Sequence, residues 1–229
     1  MRLITWNARK GKFANKAPLL EPLNADIAVI PEIAAPNEQS DQLLWFGDHP
    51  NRGVAVVAAG SYKLQRMPEL PNVPKFVVPV RVIGPMTFVL FAIWTLEKQQ
   101  MRYIRAVATA IKMYEGFFSD SPVVMLGDFN SNSIWDKDHP KLLSHSAVVA
   151  QLQCLGLVSA YHHHHGIEHG CELEHTFYLY GHQDKHYHID YCFLPISWAH
   201  SIDAVDIGTF AEWQPHSDHR PLVISIRDA

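Results

Sequence analysis

The sequence predicts a layered α/β sandwich, in which two stacked β-sheets form the core and helices cover their outer faces. Three observations lead to this prediction. The chain has 229 residues, of which 48% are hydrophobic and 18% charged, enough for one substantial core. Short apolar runs recur along the chain, and segments of helical periodicity lie between some of them. No compositional step divides the chain, so we expect a single domain over residues 1–229.

Eight apolar runs have the length and β-branched content of buried strands, and Pro, Gly or Asn residues punctuate them. The predicted strands are Leu3–Trp6, Ile27–Ile30, Gly53–Ala59, Phe76–Val82, Thr87–Thr95, Val123–Leu126, Ile189–Leu194 and Leu222–Ile226. They are too numerous for one modest sheet, which is why we predict two sheets.

Two segments have the three- and four-residue spacing of apolar side chains that is typical of helices. They are Met101–Phe118 and Leu142–Leu155, and Ser144 is a suitable N-cap near the start of the second. Helices are therefore interspersed among strands, and strands dominate.

Charge and cysteine content exclude several classes of protein. The formal net charge of −4 provides no global basic field, so any nucleic acid must be bound locally. The longest strongly apolar run, Phe88–Trp94, is far shorter than the roughly 20 residues that span a bilayer. We read no secretory leader after Met1, and the three cysteines show no CxxC spacing. These features predict a soluble, cytoplasmic protein with neither a disulfide framework nor a thiolate zinc site.

Polar side chains follow several of the predicted strands, where a rigid sheet would hold them in a fixed geometry. Each residue alone has an ordinary explanation as a turn former or a solvated charge. Together they provide oxygen ligands for a hard cation and one imidazole, a set that suits Mg²⁺ or Mn²⁺ better than zinc. The set comprises Asn7, Glu32, Asp128, Asn130, Asp190, Asp218 and His219.

In this order and with these neighbours, the residues resemble the endonuclease/exonuclease/phosphatase superfamily, whose fold is called DNase I-like. The most specific pair of motifs is Gly-Asp-Phe-Asn at 127–130 with Ser-Asp-His-Arg-Pro at 217–221. The matches extend from Trp6 to Pro221, nearly the whole chain. The resemblance implies a four-layer α/β/β/α sandwich of two mostly antiparallel sheets, with the active site at one edge of both sheets.

The resemblance also implies roles for individual residues. Glu32 would bind the catalytic metal, Asn7 would help to position metal and phosphate, and Asp218 would lie at the metal site. Asp128 would orient or deprotonate the attacking water, and Asn130 would contact the phosphate or hold Asp128.

Asp190 would pair with His219, fix its tautomer and favour the imidazolium. The imidazole would supply either proton transfer or charge stabilisation in phosphoester hydrolysis. Beside Asn7, Arg9 is expected to contact phosphate, whereas the neighbouring lysines are equally well read as a solvated loop.

One position departs from the family pattern. The strand Thr87–Thr95 reaches the place where relatives carry a histidine or a tyrosine, but Trp94-Thr95 stands there. Another side chain would have to replace that group, and the candidates are Tyr103, His188 and the histidine-rich stretch. Otherwise the chemistry is narrower, or the protein is a catalytically weak relative.

Nine of the 15 histidines lie between His162 and His188. We interpret His162–His169 as a polar surface loop in preference to an active-site loop that meets substrate or a second metal, and no spacing specifies tetrahedral zinc. For His175 and His188, a place beside the active site and an incidental one are equally well supported, and we assign His188 to substrate binding. The tryptophans are expected to pack in the core or at its rim rather than to stack on bases.

The sequence thus predicts a Mg²⁺- or Mn²⁺-dependent phosphodiester hydrolase, a nuclease acting on DNA or RNA. The main alternative is a phosphomonoesterase, or a diesterase for a small metabolite or lipid headgroup. An alternative from another class is a non-catalytic phosphate-binding protein, motivated by Trp94. The residues indicate no cofactor beyond the metal, no protein partner and no membrane span.

Overall fold

The computed structural model describes residues 1–68, 70–97 and 102–227, whose backbone forms fourteen strands and seven α-helices. The strands are β1 Arg2–Thr5, β2 Ile27–Ile33, β3 Leu43–His49, β4 Arg52–Ala58, β5 Lys63–Arg66, β6 Val77–Ile83, β7 Phe88–Trp94, β8 Val123–Asp128, β9 Leu157–Ser159, β10 Phe177–Tyr178, β11 His186–Tyr187, β12 Asp190–Pro195, β13 Ile202–Ile207 and β14 Leu222–Ile226. The helices are α1 Phe13–Lys16, α2 Ile104–Met113, α3 Glu115–Asp120, α4 His145–Cys154, α5 Ala160–His165, α6 Ile196–Ala199 and α7 Phe210–Trp213. Short 3₁₀ segments lie at Ala17–Leu23, Ser133–Asp138, Lys141–Leu143 and Leu179–Gly181.

The strands form two six-stranded sheets and a small ribbon of β10 and β11. The first sheet has the order β13-β14-β1-β2-β4-β3, and the second has the order β5-β6-β7-β8-β12-β9. Each sheet has one parallel pair at its centre, β1 with β2 and β7 with β8, and all its other pairs are antiparallel. The predicted pair of mostly antiparallel sheets is confirmed.

Three layers of buried side chains hold the sandwich together. The central layer lies between the sheets and joins residues such as Leu3 of β1 to Leu90 of β7. A second layer packs α2 and α4 on the outer face of the second sheet. A third packs the 3₁₀ segment Ala17–Leu23 and Trp213 on the outer face of the first sheet. The order of layers is therefore helix, sheet, sheet, helix, as the resemblance implies.

The two predicted helices are present with changed bounds. The first is divided at Tyr114 into α2 and α3, and Met101, where we started it, lies outside the described residues. The second begins at His145, after a 3₁₀ turn, because Ser144 caps it there. The Ser144 hydroxyl accepts a hydrogen bond from the Ala147 amide at 3.3 Å.

Six strands were missed: β10 and β11 of the small ribbon, and β3, β5, β9 and β13, which are the four edges of the two sheets. Edge strands carry few continuous apolar residues, since one side of each faces solvent. In β13, for example, two of the six residues, Ile202 and Val205, are buried. Within the described ranges, no helix has the length and apolarity required to cross a membrane.

Candidate active site

The polar residues predicted from the sequence converge where the central strands of both sheets end. Asn7 follows β1, Glu32 lies in β2, and Asp128 is the last residue of β8. Because β8 and β12 are antiparallel with Asp128 opposite Asp190, the first residue of β12 meets the last of β8. A cavity of about 410 Å³ opens at this place, and its walls include Asn7, Glu32, Asp128, Asn130, Asp218 and His219.

Asp128 is fully buried and is held by two asparagines. The side-chain amides of Asn7 and Asn130 both donate to Asp128 Oδ2, at 2.9 and 2.8 Å. The backbone amide of Asn130 donates to Oδ1 at 2.9 Å. Burial, and next the charge of Asp190, raise the pKa of Asp128 above its usual range, although His219 and the hydrogen bonds oppose this shift. The carboxyl group is therefore fixed in direction and suited to proton exchange near neutral pH.

His219 forms a buried pair with Asp190. Its Nδ1 lies 2.8 Å from Asp190 Oδ2, which fixes the proton on Nδ1, and its Nε2 lies 4.0 Å from Asp128 Oδ2. Burial lowers the pKa of the imidazole, but the charge and hydrogen bond of Asp190 raise it more, and the result is about 9. At neutral pH, His219 is therefore an imidazolium whose Nε2–H is directed towards the cavity side of Asp128.

Hydrogen bonds to the backbone hold the segments that carry this pair. Thr176 Oγ1 accepts hydrogen bonds from the amides of Ile189 and Asp190, both at 3.1 Å. The indole of Trp6 donates to the carbonyl oxygen of His219 at 3.2 Å. The two catalytic candidates are thus tied both to the first strand and to the loop before β10.

Three oxygen-bearing side chains face the same cavity from the first sheet side. Glu32 lies at a bulge, where the register of β2 with β4 shifts between Ile30 and Ile33, and its φ is +56°. Its neighbours at this end are Asn7 and Asp218. Bulges redirect side chains, and this one directs the carboxylate of Glu32 to the cavity.

Gly127 explains one part of the Gly-Asp-Phe-Asn motif. Its φ is +146°, and a Cβ at this position would lie 2.0 Å from the carbonyl oxygen of Ile93 on the parallel neighbour β7. Only glycine allows β8 to approach β7 this closely just before Asp128.

Gly127→Ala is therefore expected to lower the free energy of unfolding by about 3 kcal/mol, from backbone strain together with overpacking. Gly156→Ala is the matched control, because Gly156 also has a positive φ of +78° but a Cβ there would meet no described atom within 4 Å. The control should lose only about 1 kcal/mol. Urea unfolding of the two variants measures the difference, and equal losses would contradict the role of the close approach.

Two predicted substrate contacts are placed differently from the rest. Arg9 lies at the edge of the site, where its Nε is 3.2 Å from Asp218 Oδ2. His188 is buried and does not line the cavity. In one continuous strand His188 would share a face with Asp190, but β11 ends at Tyr187 and β12 begins at Asp190, so the alternation is interrupted. The assignment of His188 to the substrate is corrected for this reason.

His188 belongs instead to a group of buried and half-buried side chains that we call the histidine cluster, composed of His145, His162, His169, His188 and Glu172. His162 Nε2 donates to Glu172 Oε1 at 2.9 Å, and His145 Nε2 lies 3.0 Å from His169 Nδ1. The expectation of a polar surface loop over His162–His169 is thus wrong for His162, which is buried in α5.

Sequence reasoning missed Arg52, which lines the cavity beside Trp94. Its only sequence signal is a position just before the predicted strand Gly53–Ala59. Tyr103, one of the residues considered as a substitute for the absent histidine, also lines the cavity, and burial raises its pKa.

A second cavity of about 410 Å³ adjoins the first and shares Tyr103, Asn130 and Phe177 with it. Its walls also carry Arg102, Arg105, Trp135, His139 and Tyr187. Trp135, which was expected to pack in the core or at its rim, lies against Tyr187 with ring centroids 5.0 Å apart.

No family model and no curated protein match the chain, whereas solved structures resemble it over its whole length. The 3′ phosphatase NExo from Neisseria, bound to a product DNA hairpin, has a TM-score of 0.73, 17% identity and 99% coverage of both chains. NExo from Neisseria meningitidis, described as a 3′-5′ exonuclease, has a TM-score of 0.72, 18% identity and the same coverage. An AP endonuclease from Archaeoglobus fulgidus has a TM-score of 0.69, 17% identity and 99% coverage of both chains.

These likenesses show that the chain has the DNase I-like fold, the fold of endonuclease/exonuclease/phosphatase proteins. The predicted fold is confirmed.

Proposed function

We propose that this protein is a divalent-metal-dependent phosphodiester hydrolase that acts on nucleic acid. One observation carries the proposal: the buried Asp190–His219 pair, with His219 Nε2 4.0 Å from an Asp128 carboxylate that two asparagines orient. In this arrangement the imidazolium of His219, a cation, and the carboxylate of Asp128, a base, lie beside each other on one cavity wall. Both groups are needed where water attacks a phosphate ester.

The donor atoms at the other end of the cavity fit a hard cation. Asn7, Glu32 and Asp218 offer amide and carboxylate oxygens, which Mg²⁺ and Mn²⁺ prefer. Asp128, Asp190 and His219 also present ligand atoms within 4.8 Å of one another. We assign the ion to Asn7, Glu32 and Asp218, however, because His219 Nδ1 is engaged by Asp190 and Asp128 Oδ2 already accepts two amide hydrogen bonds. Bound there, it would neutralise charge on the phosphate oxygens.

The side chains of the protein would then carry out the proton transfers and the orientation of the reacting groups. Asp128 orients the attacking water and takes its proton as the new P–O bond forms. His219 donates its Nε2–H to a phosphate oxygen, where negative charge develops, and Asp190 stabilises the imidazolium. Asn130 holds Asp128 and lines the cavity in which the phosphate would lie. The bond to the leaving oxygen breaks, and a proton from solvent or from the imidazolium completes the alcohol product.

The adjoining cavity supports a nucleic-acid substrate. Arg102 and Arg105 provide local positive charge, although the whole chain is mildly acidic. Trp135 and Tyr187 offer aromatic faces on which an unstacked base can lie. A cavity of this size and composition, open to the catalytic centre, suits one nucleotide better than a lipid headgroup.

A phosphomonoesterase is the second candidate, favoured by the resemblance to NExo, which is described both as a 3′ phosphatase and as a 3′-5′ exonuclease. Both reactions use the same attack on phosphorus and differ in the group that leaves. Oligonucleotides with and without a 3′-phosphate distinguish them.

The test is hydrolysis of single-stranded DNA, duplex DNA, abasic duplex, RNA and 3′-phosphorylated oligonucleotide, with bis-p-nitrophenyl and p-nitrophenyl phosphate as small substrates. We expect cleavage of a nucleic-acid diester. Turnover of monoesters alone would establish the second candidate. Metal-dependent activity that is unchanged in Asp128→Asn and His219→Gln would contradict the assigned site.

Activity is expected to require added Mg²⁺ or Mn²⁺ and to disappear in EDTA. Glu32→Gln removes one ligand charge and should raise the metal concentration for half-maximal activity by at least about tenfold. Glu38→Gln, at an exposed position outside the cavity, is the control and should leave it unchanged. Full activity in EDTA would contradict the metal requirement.

We further propose a cytoplasmic location, since Cys154 and Cys171 are exposed free thiols of the kind that a reducing compartment maintains. Residues 1–229 are proposed to be one domain, because the central core layer takes side chains from both sheets.

A further inference from the structure

Arg52 is held over an aromatic ring at the wall of the catalytic cavity. It is the first residue of β4, and its guanidinium carbon lies 4.7 Å from the ring centroid of Trp94, the last residue of β7. Trp94 is 1% exposed and also packs against Phe76, at a centroid distance of 4.9 Å. A rigid indole therefore holds a flexible cation in one place.

The position of Arg52 is close to the proposed metal ligands. Gly53 pairs with Ile33, so Arg52 enters the sheet beside the bulge that carries Glu32. On the other side, Trp94 is in register with Asp128. Arg52 thus bridges the two sheets at the point where the metal end and the base end of the cavity meet.

The stacking leaves the guanidinium donors available. Among the described residues, no ion pair within 4.0 Å joins Arg52 to a carboxylate, whereas Arg9 is paired with Asp218. A cation over a ring face keeps its N–H groups in the guanidinium plane, where they can form two parallel hydrogen bonds to phosphate.

The acidic lining of the cavity favours such a cation. Four acidic side chains line it, Glu32, Glu97, Asp128 and Asp218. Positive charge beside them reduces the repulsion that a phosphate meets on entering the cavity. Arg52 is the guanidinium that lines the described part of this cavity.

We infer that Arg52, positioned by Trp94, forms a phosphate-binding subsite that takes the non-bridging oxygens of the phosphate under attack. The inference deepens the proposed function and rests on it. It also gives a role to Trp94, which stands where relatives carry a histidine or a tyrosine.

The experiment measures affinity for inorganic phosphate by isothermal titration calorimetry of the full chain with Mg²⁺ present. Arg52→Met is expected to weaken phosphate binding by about 10- to 100-fold, the usual effect of losing hydrogen bonds to a charged group. Arg52→Lys should retain only part of the phosphate affinity, since lysine keeps the charge but lacks the planar guanidinium group. Trp94→Leu should weaken phosphate binding while Mg²⁺ affinity is unchanged, and Trp94→Phe should restore it.

Arg66→Met is the matched control. Arg66 also stacks on a ring, Phe46, at 4.2 Å, but it lies outside the catalytic cavity. The control should bind phosphate as the unmodified protein does. Unchanged affinity in Arg52→Met, or no phosphate binding by the unmodified protein at millimolar concentration, would overturn the subsite.

The same variants separate this inference from the proposed function. Phosphate binding that depends on Arg52, without hydrolysis of any phosphoester, would refute the function and keep the subsite. Hydrolysis with the same kcat/KM in Arg52→Met as in the unmodified chain would keep the function and refute the subsite.

Discussion

His219→Gln is expected to lower kcat by about 10²- to 10⁴-fold, the range for removal of a positioned acid or base. Glutamine is chosen because its amide can still donate to Asp190, which is buried with 0% exposure. Alanine would leave that carboxylate without its partner, and an unpaired buried charge costs about 3–5 kcal/mol of stability. Glutamine therefore tests the chemistry with the least disturbance of the fold.

The measurement is kcat on the best nucleic-acid substrate, accompanied by urea unfolding to show that the variant is folded. His182→Gln is the control, since His182 is exposed. A folded His219→Gln protein with kcat within tenfold of the unmodified protein would refute the central role of the imidazolium. Asp190→Asn should reduce kcat in the same direction, because it removes the charge that favours the imidazolium.

The free energy of unfolding is expected to fall by about 3 kcal/mol between pH 7 and pH 5, because of the histidine cluster. Burial lowers the pKa of His145 to about 4, of His169 to about 2 and of His188 to about 3. In the unfolded chain these groups bind protons below about pH 6.5, whereas the folded protein excludes them. Each group therefore costs about 1.4 kcal/mol per pH unit in this window.

One carboxyl group acts in the opposite direction. The pKa of Asp128 is raised by burial, so as the pH falls the folded state takes up this proton before the unfolded state does. This stabilises the folded protein by about as much as one of the three histidines destabilises it. The pKa of Glu172 is lowered to about 2, which matters below its ordinary value of 4.5 and so outside the window. His219, with a pKa of about 9, stabilises the folded state as the pH falls to 6.5, so it offsets a further small part of the loss at the upper end of the window.

His188→Phe isolates the effect of one histidine. The His188 ring lies against Tyr161 with centroids 4.5 Å apart, so a phenylalanine ring can occupy a similar place. Urea unfolding at pH 7 and pH 5 should show a loss about 2 kcal/mol smaller in this variant. His164→Gln, at an exposed position of α5, should retain the full loss. Equal stability of the unmodified protein at both pH values would contradict the prediction.

The sequence was sufficient for the central strands and for most of the site, and the structure shows why. Asn7, Asp128 and Asp190 border apolar strands in the middle of each sheet, so a one-dimensional pattern marks both the strand and its polar end. The four edge strands lack that pattern because solvent covers one side of each. Their omission was therefore systematic.

Contacts between the two sheets were beyond what a local pattern can indicate. Arg52 and Trp94 are 42 positions apart and meet only after β4 and β7 stack in separate sheets. The misplacement of His188 has a different cause, because His188 was placed by its closeness in sequence to the strand beside the site, whereas it lies in the break between β11 and β12. Closeness in sequence does not determine which side of a strand end a side chain occupies.

The position of β1 between β14 and β2 has a consequence for synthesis on the ribosome. β1, at residues 2–5, is made before every other strand of the two sheets, but its neighbour at residues 222–226 leaves the ribosome some two hundred residues later. His219 emerges close to that neighbour. A nascent chain that holds all the other site residues thus still lacks both a complete first sheet and its imidazole. The candidate hydrolase would be unable to attack RNA around it until β14 has been made.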